Sequence, residues 1–96
     1  MSPENLKKLN KLRKRLDILD NSFIKLIKKR TSLVKRVLLL KKNKNEIIDK
    51  KRIKTILNQI RKKSIKNKID PKITQRIWKN MIWSYIDFEK RKFKKK

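Results

Sequence analysis

Residues 9–40 read LNKLRKRLDILDNSFIKLIKKRTSLVKRVLLL. Large apolar residues return there every three or four positions: Leu9, Leu12, Leu16, Leu19, Phe23, Leu26, then Leu33, Val37 and Leu40, with Arg30 filling the one charged step. That rhythm is one face of a helix, and no Pro or Gly interrupts it. It predicts a helix from about Leu6 to Lys42, roughly 55 Å long at ~1.5 Å per residue. A compact chain of this length is only about 32 Å across. One protomer cannot cover such a stripe, so the helix predicts a partner, most simply a twofold homodimer with long helices side by side.

Outward from the stripe, Lys42 to Ile48 breaks the rhythm with Asn43, Lys44, Asn45 and Glu46. Asp49 then reads as the N-cap of a second helix through about Lys63, with Ile53, Ile56, Leu57 and Ile60 on its inner face. Asp70-Pro71 is the strongest local signal, an acid at the N-cap followed by Pro at the first helical position. The third helix is predicted from Pro71 to about Phe93, burying Ile73, Ile77, Met81 and Tyr85 or Phe88. Nothing reads as a strand. The expectation is an all-α chain of three helices, one very long and two shorter, forming a single domain over residues 1–96 with a frayed basic tail over 90–96.

Composition narrows the chemistry. The 96 residues hold 33 Lys plus Arg against 8 Asp plus Glu, a formal charge of +25, with no Gly, Cys, His or Ala. Absence of Cys and His removes disulfides, thiolate chemistry, Cys/His zinc sites and Ser-His triads. Absence of Gly removes phosphate-binding glycine loops. Catalysis would have to run on Arg, Lys, Asp, Glu and hydroxyls. The charge is the footprint of a nucleic-acid binder, yet Lys outnumbers Arg by 25 to 8 and Ile and Asn are abundant, as AT-rich coding produces. The lysines also spread along the whole chain rather than gathering in one stripe. The longest apolar run, Val37 to Leu40, is far too short to span a membrane, and no signal-peptide h-region opens the chain, so a cytoplasmic protein is expected.

Arg30 occupies a stripe position where the pattern asks for Leu or Ile. A charge facing a core is costly unless it is paired or meets a ligand. Glu89 poses the same question on the third helix, in line with Ile82, Tyr85, Ile86 and Phe93. Arg13 and Lys41 flank the long helix and, taken singly, read as solvated residues.

In combination these residues resemble the all-helical class of chorismate mutases, three-helix chains that form intertwined dimers. Leu12-Arg13-Lys14-Arg15-Leu16-Asp17-Ile18-Leu19-Asp20 is similar to the family's opening L-R-x-x-I-D-x-I-D. Leu26-Ile27-Lys28-Lys29-Arg30 resembles L-L-x-x-R, Val37 and Lys41 resemble V-x-x-x-K, and Asp49-Lys50-Lys51-Arg52 resembles D-x-x-R. Ile69-Asp70-Pro71 resembles the turn before the third helix, and Ile77-Trp78 to Ile82 its F-x-x-I-I stretch. The resemblance runs from about Leu6 to Phe93.

It implies an isomerase that rearranges chorismate, a dicarboxylate, to prephenate in aromatic amino-acid biosynthesis. The step is pericyclic and needs no metal or other cofactor, only cations that hold two carboxylates and donors aimed at the breaking ether bond. By that resemblance Arg13 reaches one carboxylate from the partner subunit, Arg30 binds the other, and Lys41 sits by the ether oxygen. Asp49 and Arg52 line the same pocket. Planar Arg suits a carboxylate and Lys a pointlike contact.

Two positions depart from the family pattern. Ile53 stands where the family has the Glu that holds the ring hydroxyl. Glu89 stands where bacterial members carry a Gln as second donor to the ether oxygen, and Tyr85 replaces a small polar residue one turn earlier. A Glu donates only when protonated, and burial and neighbouring cations pull its protonation in opposite directions. Sister enzymes of this fold, acting on 4-amino-4-deoxychorismate or cleaving isochorismate to pyruvate and salicylate, are the alternatives within the resemblance. A basic helical nucleic-acid-binding protein is the alternative of a different class.

Overall fold

In the computed structural model, which describes residues 1–95, three helices follow one another: α1 (Pro3–Leu40), α2 (Lys50–Lys66) and α3 (Pro71–Lys92), with a single 3₁₀ turn at Lys44–Glu46 between α1 and α2. No strand occurs among the described residues. The all-α expectation holds. The chain divides into two compact units, Met1–Leu33 and Val34–Lys96.

In the first unit, α1 starts three residues before the predicted Leu6 because Ser2-Pro3 makes a cap. Asn5 N–H donates to Ser2 Oγ at 3.1 Å and Leu6 N–H to the Ser2 carbonyl at 2.9 Å. Pro3 occupies the first turn, where its missing N–H costs nothing, and Glu4 complements the positive end of the helix. The apolar stripe is laid out as the spacing predicts. Leu12, Leu16, Leu19, Phe23 and Leu26 are all exposed, Phe23 at 58% and Leu26 at 60%. No residue of this unit is buried.

The second unit holds the core, formed by Leu38, Ile47, Ile82 and Ile86, with Ile48, Ile53, Ile56, Leu57 and Phe93 packed against it. After α1 ends, Lys42 N–H donates to Glu46 Oε2 at 3.1 Å, and the 3₁₀ turn delivers Ile47 into the core at 3% exposure. Asp49 caps α2 as predicted, Oδ1 accepting from Arg52 N–H at 2.9 Å. Asp70 caps α3, Oδ1 accepting from Lys72 N–H at 2.9 Å, with Pro71 opening the helix.

Between the two caps, α2 ends in a double hydrogen bond: Ile69 N–H to the Ser64 carbonyl at 2.9 Å and Lys68 N–H to the Ile65 carbonyl at 3.1 Å. This Schellman arrangement needs a left-handed residue after the cap, ordinarily Gly. A chain without glycine puts Lys68 there, at φ 58°. The turn reverses the chain, and α3 runs back along α2. Ser64 and Thr74 meet through their hydroxyls at 2.6 Å, and Gln75 Nε2 donates to the Leu57 carbonyl at 2.8 Å.

The buried face of α3 corrects the sequence reading. Ile73 and Ile77 are exposed, at 56% and 48%, while Met81, Tyr85 and Phe88 are half-buried and Ile82, Ile86 and Glu89 buried. The helix carries apolar residues on two flanks. Thr74 and Gln75 decide between them by bonding to α2, which turns Ile73 and Ile77 outward. On α2, Ile53, Ile56, Leu57 and Ile60 are all half-buried. Helix α3 continues to Lys92, into the stretch where a frayed tail was expected, and Lys96 lies outside the described residues.

Candidate functional site

Lys41 follows the last residue of α1, its N–H bonded to the Leu38 carbonyl at 3.1 Å. Leu38 is buried in the core, so the backbone that carries Lys41 is anchored. Its Nζ lies 3.1 Å from Glu89 Oε1, a contact between residues 48 apart in sequence. Glu89 projects from the same face of α3 as Ile82 and Ile86 and is 6% exposed, while the Lys41 side chain is 18% exposed. A carboxylate among isoleucines is tolerable because a cation answers it at hydrogen-bond distance. The ammonium has three donors, so holding Glu89 leaves it able to meet a second acceptor. Tyr85 stands one turn before Glu89 on α3, half-buried.

The other expected residues are less concentrated. Asp49 and Arg52 both lie exposed at the start of α2, and the Asp49 carboxylate is engaged on the Arg52 backbone N–H. Its observed use is structural, as a helix cap. Ile53 is half-buried against the core and presents no polar atom. Arg30 and Arg13 belong to the first unit, Arg30 half-buried on α1 and Arg13 exposed.

A groove of ≈ 520 Å³ opens between α2 and α3 in the second unit. Of the site residues expected from sequence, Ile53 alone lines it. Lys50, Lys54, Lys79 and Trp83 line it too, and the three lysines are not singled out by the sequence reading. Their signal is the i, i+4 spacing of Lys50 with Lys54 and of Lys79 with Trp83. Against 25 lysines spread along the chain, that spacing does not stand out.

Comparison with known families gives a match. The family model described as chorismate mutase type II covers residues 12–90. No curated protein and no solved structure matches.

Proposed function

The chain belongs to the chorismate mutase type II family and is an isomerase of that type, and from that premise we propose that it rearranges chorismate to prephenate in a site assembled by a homodimer. The ether C–O bond breaks as the new C–C bond forms, and the electrons move within the substrate. The protein then contributes position and charge alone. Arg30 clamps one carboxylate from within its bundle, and Arg13 reaches the other from the partner subunit. Lys41 donates to the ether oxygen as negative charge develops there. Glu89, its Oε1 held by Lys41 in the resting pair, is the second group at the ether oxygen and donates there in its protonated form. Asp49, Arg52 and Tyr85 line the pocket, and Ile53 gives it an apolar wall where the ring hydroxyl would be held.

One observation carries this reading: the two residues assigned to the ether oxygen, Lys41 and Glu89, are in contact at 3.1 Å with the carboxylate buried. Ile53 favours a second reading. With no acid at its position to hold a ring hydroxyl, a substrate carrying an amine there, 4-amino-4-deoxychorismate, fits the family chemistry as well.

The deciding experiment assays the purified protein on chorismate, isochorismate and 4-amino-4-deoxychorismate in parallel. Turnover of chorismate above the other two supports the proposal, and preference for the amine selects the second reading. In the same assay Arg30→Ala should lower kcat/KM by about 10²–10³-fold, the usual loss when a transition-state charge partner is removed, with the helical circular dichroism kept. Unchanged activity would remove Arg30 from the site.

A further inference from the structure

The groove between α2 and α3 has a chemistry of its own. Its floor is apolar, made by Ile48, Ile53 and Leu57. Trp83 stands at its wall, 51% exposed, which leaves an indole surface open for stacking. Lys50 and Lys54 stand one turn apart on the α2 side, and Lys79 one turn before Trp83 on the α3 side. No acidic residue lines it. Gln75, also in the lining, donates to the Leu57 carbonyl at 2.8 Å and ties the two walls together. The volume lies within the range of small-molecule sites, about 300–1,000 Å³.

Position separates the groove from the residues proposed for the rearrangement. At 3.6 residues per turn, Lys54 and Arg52 lie about 200° apart around α2, and so do Trp83 and Tyr85 around α3. The groove therefore opens on the flank opposite Arg52 and Tyr85, and Ile53, at the centre of the helix face, is the one residue it shares with them.

We propose that this groove binds an aromatic carboxylate: the ring against Trp83 and the apolar floor, the carboxylate among Lys50, Lys54 and Lys79. The charge pattern selects that occupant. A nucleic acid needs a continuous basic track, whereas three lysines line this groove. A ring supplies the apolar contact that inorganic anions lack.

The test is titration calorimetry on the full chain at near-physiological salt, with three probes. 3-Phenylpropionate is expected to bind with one site per chain. 3-Phenylpropan-1-ol, which keeps the ring and loses the charge, and inorganic phosphate, which keeps charge and loses the ring, should each bind at least tenfold more weakly. Lys54→Glu, Lys79→Glu and Trp83→Ala should each weaken 3-phenylpropionate at least tenfold, with turnover within twofold of wild type and circular dichroism unchanged; Lys79→Gln serves where the reversed charge impairs folding. Arg30→Ala should leave probe binding as it is. Equal binding of the alcohol or of phosphate would overturn the proposal. So would binding that survives all three variants, or binding lost in Arg30→Ala, which would place the probe in the rearrangement site. A Lys79→Glu chain that changes oligomeric state, with no probe binding in the wild type, would show a second copy in the groove and overturn it too. Intact probe binding without turnover of any chorismate-type substrate would uphold the groove while removing the proposed reaction.

Discussion

At the scale of the residue, Lys41 and Glu89 define each other. Truncating one member of a buried ion pair leaves the other charge unanswered and costs about 3–5 kcal/mol, whereas replacing both by apolar groups of similar size is often neutral. Lys41→Met should therefore lower the urea midpoint strongly, and Lys41→Met with Glu89→Leu should recover most of the loss. Equal destabilisation by single and double variants would show the pair contributes no coupling. The proposed catalytic role makes a separate demand. If Glu89 donates to the ether oxygen it must carry a proton, so an amide should serve in its place. Glu89→Gln should keep or raise turnover, whereas Glu89→Leu should lower it at least tenfold. Full turnover in Glu89→Leu would assign the donation elsewhere. The sequence marks both residues, Glu89 as a charge in line with Ile82 and Ile86, Lys41 through its resemblance with Val37 to V-x-x-x-K. Their mutual contact is not marked, since it joins chain positions 48 apart and no local pattern encodes that pairing.

At the scale of the element, caps were easier to read than faces. Asp49 and Asp70-Pro71 announced two helix starts because capping chemistry is local and the residue types are few. The buried side of α3 is ambiguous in the sequence because Ile73 and Ile77 compete with Ile82 and Ile86, and two polar residues, Thr74 and Gln75, settle the rotation by bonding to α2. The left-handed Lys68 was equally hidden, since a helix end normally shows itself by Gly and this chain has none. A Cβ in that conformation costs about 1 kcal/mol or more, partly offset by the freedom glycine adds to the unfolded chain. Lys68→Gly should thus stabilise the protein by roughly 0.5–1 kcal/mol, a rise in Tm of a few degrees for a chain this size. Thermal melts at one protein concentration check it, and a lower Tm would mean the Lys68 side chain contributes more than its backbone costs.

At the scale of the whole molecule, the exposed stripe of Leu12, Leu16, Leu19, Phe23 and Leu26 is the largest unsolved burial problem in the chain. Exposed apolar rows of this extent mark association surfaces, and the proposed homodimer covers them. Sedimentation should give a dimer, Phe23→Asp should shift it to monomer, and the wild-type Tm should rise with protein concentration as mass action requires. A stable monomer with a concentration-independent Tm would refute that assembly. The length of α1 is legible because its period is unbroken, and that length announces that a cover is needed; which residues supply the cover is not legible, because contacts between chains leave no mark in one chain's own spacing. The stripe also sets an order of events during synthesis. Residues 12–26 are translated before α2 and α3, and α2 and α3 fold on each other through a four-residue connection, the kind of short-range contact that forms fastest. The earliest-made apolar surface would then be the last to find its cover, waiting on a bimolecular encounter whose rate falls with dilution. Low expression would leave it open longest, and chaperone demand would be greatest when the protein is scarce.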